Sequence, residues 1–146
     1  MKKVDDIQAE IAVIIFNEKG NVLLQKRAEA GLWGVLSGNV QVGETLSEAA
    51  VRKAEEEAGI KIIIKKLTGV YSDPVSQLKV GPDGKIIHFI TSCFSAETAY
   101  GAVVSTEERK KEIAFFHPEK LPEDIQPMHP QWLQDVLSEQ EQPFIR

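Results

Sequence analysis

The chain holds a single cysteine, Cys93. That excludes an internal disulfide and an all-cysteine zinc site. Its place in an apolar run marks it as a small buried hydrophobe rather than a nucleophile. Positive charge is also short: 17 Lys and Arg stand against 22 Asp and Glu, a formal charge of −5. No basic run interleaved with aromatics occurs, so no nucleic-acid partner is expected, although an acidic chain can still take a phosphate ligand through metal ions. Long hydrophobic runs are missing as well. Residues 11–16 are apolar but far too short to span a bilayer, and residues 1–6 lead into no signal-type stretch. The expectation is a cytoplasmic protein with no membrane partner. No internal repeat or low-complexity segment is evident.

The 146 residues are 42% hydrophobic and 27% charged, ordinary for a soluble globular protein. That size predicts one domain over residues 1–146, long enough to bury a core without staples. Residues 9–16 and 22–26 are strand-like and flank the turn-forming set Asn17–Asn21, which predicts a β-hairpin. A Gly-rich loop follows over residues 31–38, with Trp33 as its packing anchor or a substrate-stacking ring. The clearest helix covers residues 45–58. Thr45 and Glu48 form a capping box, Gly59 suits the left-handed position past the end, and Leu46, Ala49, Ala50 and Ala54 form a small-residue face. Further strands are expected over 61–71, 86–96 and 113–116, with a turn at Gly81–Gly84, a helical turn at 118–121 and a last helix over 130–139. The pattern is mixed α/β.

The stretch from Gly38 to Ile60 carries the strongest signal. It resembles the Nudix box, G-x5-E-x7-R-E-U-x-E-E-x-G-U, where U is a bulky aliphatic residue. Six of the seven fixed Gly, Glu and Arg positions match: Gly38, Glu44, Arg52, Glu56, Glu57 and Gly59. With a background frequency of about one in fifteen per fixed residue, six matches at set spacing arise by chance on the order of 10⁻⁷ per starting point. The seventh position should be glutamate and is Lys53. Ala54 is a softer departure where the family prefers a larger aliphatic. Leu36 and Ser37 stand where the family often has proline and glycine. Weaker likeness extends over the lead-in at residues 24–34, over 71–74 and over 115–122.

The resemblance implies an α/β/α sandwich around a mixed sheet, with the box as loop–helix–loop. It also implies a metal-dependent hydrolase of a nucleoside diphosphate derivative. A pyrophosphate repels hydroxide, and Mg2+ or Mn2+ offsets that charge, orients the phosphates and acidifies a bound water. Such ions want several oxygen ligands close together. Helix positions 53, 56 and 57 share one face, and in the family three glutamates there hold the metal. Glu56 and Glu57 are therefore expected as metal ligands and catalytic residues, with the Gly38 carbonyl as a further ligand. Arg52, counted with the catalytic residues, and Glu44 match the pair that braces helix against loop. Gly59 is a structural box residue.

Lys53 offers donors and no acceptor, so while protonated it cannot bind metal or take a proton. Glu55 cannot replace it, because it points about 160° away around the helix. A substitute base is sought in a later loop, where Glu107, Glu108 and Glu112 lie and Glu108 is the preferred choice. A salt-bridged surface helix would also explain Arg52–Glu56 and Lys53–Glu57, but not Gly38, Glu44 and Gly59. Three functions follow for a small-molecule nucleotide partner. The chain hydrolyses ADP-ribose or another nucleotide sugar, or it is an inactive Nudix-fold module binding a nucleotide or protein, or it is a nucleoside triphosphate pyrophosphatase. Tyr71 and Phe89 are core residues or base-stacking rings; His88, His117 and His129 are expected to be structural.

Overall fold

The computed structural model describes residues 3–26, 31–99, 112–126 and 128–146. Its organising strand is β1 (Asp6–Phe16), in which Ile11–Ile15 are all buried. One edge of β1 runs parallel to β7 (Ile86–Thr98) along its whole length, from Asp6 opposite Ile87 to Phe16 opposite Glu97. The other edge is divided. Glu10–Val13 pair antiparallel with β4 (Leu36–Asn39), whereas Phe16 pairs with Val22 at the start of β2 (Val22–Lys26). The expected hairpin thus forms, and the Asn17 side chain stabilises its turn by accepting the N–H groups of Lys19 and Asn21. Its strands part beyond that one pair, because β2 runs on between β3 (Trp33–Gly34) and β8 (Glu112–Phe116).

On the far side of β7 lie β5 (Ile62–Tyr71) and the short β6 (Leu78–Val80), and β9 (Phe144–Ile145) adds parallel to β5. The order β3-β2-β1-β7-β5-β9 makes a mixed sheet with a layer on each face. α1 (Leu46–Ala58) packs Ala49, Ala50, Ala54 and Ala58 against Ile11, Val13, Leu23 and Leu36. α3 (Trp132–Leu137) sets Trp132 and Val136 against Ala12, Ile14, Leu24 and Tyr71 on the opposite face. Odd and even residues of β1 divide between the two layers, as a period of two requires. This is the α/β sandwich the sequence predicts. The alanines let α1 approach the sheet closely, and Ala54, the softer departure from the box, is fully buried there.

Several details differ from expectation. Leu46 is 40% exposed, and Ala58 takes its place on the packed face. The Gly-rich stretch contains β3 and β4, whose strand character comes from pairing with β2 and β1 rather than from local propensity. Residues 118–121 make a turn, with the Lys120 N–H on the His117 carbonyl, and no helix. α2 (Pro74–Gln77) starts where β5 was expected only to stop, because the Asp73 side chain caps the Val75 N–H. The last helix is shorter than residues 130–139: its N-cap residue Gln131 makes no side-chain capping bond, and the backbone turns extended at Ser138. No helix of the described residues is long and apolar enough to cross a membrane.

Candidate active site

Both ends of α1 are fixed by local chemistry. Thr45 Oγ1 accepts the Glu48 N–H at 3.1 Å, and Glu48 Oε1 accepts the Thr45 N–H at 3.4 Å. At the other end Gly59 sits at φ 64°, and its N–H reaches the Glu55 carbonyl at 3.0 Å. The capping box and the glycine therefore stand where the sequence put them.

One guanidinium ties this helix to the loop before it. Arg52 Nε donates to Glu44 Oε2 at 2.7 Å and Nη2 to Glu44 Oε1 at 3.0 Å, a bidentate pair. Nη2 also donates to the Asn39 carbonyl at 3.1 Å, and Nη1 lies 3.2 Å from Glu56 Oε2. Glu44 further accepts the Gln41 N–H at 3.0 Å. The Arg52 hydrogen bond, and after it the Gln41 N–H, hold the Glu44 carboxyl below its ordinary range, and Glu44 in turn pushes the Arg52 guanidinium up. The expected brace is thus formed, and it carries the Glu56 carboxylate with it.

Lys53 lies on the β4 side of the helix. Its Nζ is 3.2 Å from Glu57 Oε1, with 19% and 17% of the two side chains exposed. Its stem crosses Gly38. A Cβ built on that glycine would overlap Lys53 Cε and stand 3.0 Å from both Cδ and Nζ. Gly38, Lys53 and Glu57 are therefore in one place, with Arg52, Glu44 and Glu56 beside them.

A divalent cation at this place would draw on Glu56, Glu57 and the Gly38 carbonyl. The donors suit magnesium or manganese in kind, since all are hard oxygens. They are few: among the described residues no group of three His, Cys, Asp or Glu side chains comes together for a metal. Position 53 supplies an ammonium where a third carboxylate would stand. The preferred base, Glu108, lies with Glu107 outside the described residues. Glu112 opens β8, exposed and opposite Lys26.

A cavity of about 470 Å³, counting its open mouth, opens on the α3 face of the sheet. Ser37 lines it, while the next residue, Gly38, meets Lys53 on the α1 face, so β4 stands between cavity and carboxylates. Its polar wall is a chain of bonds. Gln77 Nε2 donates to the Phe89 carbonyl at 3.0 Å and to Thr91 Oγ1 at 2.6 Å, and Thr91 donates to Glu10 Oε1 at 2.9 Å. Lys79 Nζ is 3.8 Å from Glu10 Oε2, and Gln126 closes the wall. Sequence reasoning missed this set. Glu10, Gln77 and Thr91 are far apart in the chain, and only the parallel β1–β7 pair, which places Glu10 opposite Thr91, unites them. It also missed Gln25, whose buried Oε1 is without a hydrogen-bond partner among the described residues and which shares the sheet face of Leu23.

Among the aromatic candidates Tyr71 lies in the core and Trp33 packs against it partly buried, whereas Phe89 is half-buried and belongs to neither core cluster. Tyr71 is 1% exposed, donates to Asp135 Oδ2 at 2.7 Å and belongs to the core, not to a stacking platform. Phe89 has Lys79 Nζ 5.0 Å from its ring centre. Trp33 anchors its loop edge-on to Phe116, with ring centres 4.9 Å apart. His88 Nε2 bonds the Ser72 carbonyl at 2.6 Å, and the Nδ1 atoms of His117 and His129 each accept a backbone N–H two residues on.

The family model of the NUDIX domain matches residues 6–136. A Bacillus subtilis protein named putative 8-oxo-dGTP diphosphatase is 42% identical over 65 residues, 44% of this chain and 44% of its own length. An ADP-ribose pyrophosphatase of Methanocaldococcus jannaschii is 35% identical over 116 residues, 77% of this chain and 64% of its own length. Neither relative is spanned for two thirds of its length. Among solved structures, an ADP-ribose pyrophosphatase from Streptococcus suis superposes with a TM-score of 0.69 at 17% identity, covering 95% of this chain and 98% of that one. At that identity the likeness speaks for the fold.

Proposed function

This chain belongs to the Nudix hydrolase family, which acts on diphosphate linkages, and on that premise we propose that it hydrolyses a nucleoside diphosphate derivative, ADP-ribose or another nucleotide sugar. One observation carries the reading: the Arg52–Glu44 brace and the Lys53–Glu57 pair gather charged groups at Gly38, while the preceding residue of β4, Ser37, lines a cavity with a hydrogen-bonding wall. A diphosphate at Gly38 would reach the helix charges, and a base entering the cavity would meet Glu10, Gln77 and Gln126. Magnesium or manganese on Glu56, Glu57 and the Gly38 carbonyl would supply charge neutralisation and an acidified water.

The chain's own residues supply the rest. Arg52 holds Glu44 and Glu56 in place. Water adds across the P–O–P link, one phosphoryl group gains its oxygen, and the other leaves as a phosphate monoester. Lys53 has no acceptor for the water's proton, so we assign that proton to Glu108. A nucleoside triphosphate pyrophosphatase is the second reading, favoured by the likeness to the Bacillus subtilis protein.

The test is a substrate screen with magnesium and with manganese, reading the nucleotide products by ion-exchange chromatography. ADP-ribose or a nucleotide sugar should exceed every nucleoside triphosphate at least tenfold. Glu108→Gln should slow the reaction on the order of 10²–10⁴. Faster cleavage of a triphosphate selects the second reading. Silence across the screen, for wild type and Lys53→Glu alike, overturns the hydrolase and leaves a nucleotide-binding module.

A further inference from the structure

In the Nudix box, position 53 belongs to a glutamate on a site meant for cations. Here it carries a cation. Positions 53, 56 and 57 together carry −1, where three glutamates would carry −3. An anionic ligand therefore meets less repulsion, and a divalent cation less attraction. Lys53 is also held. Its stem lies against the bare backbone of Gly38, where no other residue would leave room for it, and less than a fifth of it meets solvent. Much of the rotamer freedom that a surface lysine loses on meeting a phosphate is already gone. Its contact with Glu57, at 3.2 Å, is long for a charge-assisted bond, which is usually about 2.7–2.9 Å. An ammonium has three donors, and this contact engages one.

We propose that Lys53 is a phosphate-binding residue of the site: its ammonium, seated between Gly38 and Glu57, takes over inside the chain part of the charge neutralisation that a bound divalent cation otherwise supplies. The inference rests on the reading of this site as the diphosphate site. Lys53 meets a phosphoryl oxygen directly, and Glu57 is its resting partner, displaced or shared when the anion arrives. The protein then retains affinity for a diphosphate when metal is removed.

Inorganic pyrophosphate is the probe, titrated calorimetrically into the full chain in EDTA. Wild type should bind, and Lys53→Gln should bind at least tenfold more weakly. Lys53→Arg should stay within a few-fold of wild type. Glu57→Gln should bind pyrophosphate several-fold more tightly, because it removes the competing carboxylate. A purely structural lysine would not give that opposite pair of effects. Lys53→Glu, titrated with manganese and followed by the paramagnetic signal of the free ion, should bind manganese at least tenfold more tightly than wild type.

Wild type that ignores pyrophosphate in EDTA overturns the proposal, as does Lys53→Gln that binds like wild type. Should Lys53→Gln fail to fold, the Glu57→Gln titration decides alone, and unchanged or weaker affinity there refutes it. The two readings fail separately. A chain that cleaves ADP-ribose only with metal and ignores pyrophosphate without it keeps the hydrolase and loses this role for Lys53. A chain that cleaves nothing in the screen yet loses pyrophosphate on Lys53→Gln does the reverse.

Discussion

Replacing Gly38 by alanine isolates the contact on which the site turns. Gly38 lies in β4 and is not among the positive-φ glycines. Alanine there carries no backbone strain and by itself should stabilise by about 0.4–1 kcal/mol through the unfolded chain. Against this stands a methyl group overlapping Lys53 Cε. Overpacking costs about 1–3 kcal/mol. The lower end applies, because a lysine stem can swing where backbone cannot. Swinging breaks the contact with Glu57, another loss of up to about 1 kcal/mol. The net expectation is destabilisation of about 1 kcal/mol, or roughly 2–4 °C in melting temperature for a domain of this size. In a Lys53→Ala background the clash is gone, and the sign should reverse to the intrinsic gain. Urea unfolding of the four proteins closes a double-mutant cycle with an expected coupling of about 1–3 kcal/mol. If Gly38→Ala shifts the midpoint equally in both backgrounds, Lys53 does not lie on Gly38 and the account of the site is wrong.

Gly59 ends α1 at φ 64° with its N–H bonded back to Glu55, so Gly59→Val should cost at least about 1 kcal/mol in urea; an unchanged midpoint would mean that the helix ends elsewhere. Burial tends to raise the Asp135 carboxyl, but hydrogen bonds from Arg146 and Tyr71 outweigh it and leave it below its ordinary value. A carboxyl depressed in the folded state adds stability above its unfolded pKa of about 3.9, and that stability is lost as pH falls further. Asp135→Asn should lower stability at neutral pH and flatten its fall below pH 4, measured by thermal melts over pH 2–7; a parallel acid limb in the two proteins would refute the linkage. Burial pushes the Cys93 thiol up to about 12, so a disulfide reagent at pH 8 should label it only as fast as the chain unfolds, whereas rapid labelling of native protein would contradict its burial.

How much of this was legible in the residues depends on how local its cause is. The α1 boundaries were, because Thr45, Glu48 and Gly59 act within one helical turn of the ends they fix. The Arg52–Glu44 brace was readable through the box pattern, eight residues apart. β4 and β9 were not, since each is a strand by virtue of a partner distant in sequence; β9, for example, is held by the Arg146 N–H on the Val70 carbonyl. The cavity wall failed for the same reason. Glu10 and Thr91 stand 81 residues apart and meet only through a parallel register that no local pattern encodes.

Lys53 shows a different limit. Its chemistry was plain from one letter: a cation stands where the pattern asks for a carboxylate. What one letter could not give is direction. A lysine reaching into solvent would leave Glu56 and Glu57 open to a metal, and would be a lesion on a standard site. The observed lysine instead folds inward over Gly38 and reaches Glu57. The glycine that opens the box supplies the room, and the glutamate that closes its charged run supplies the partner. Three positions four to nineteen residues apart thus act as one unit. A substitution at any of them should be read through the other two, not as the gain or loss of a single ligand.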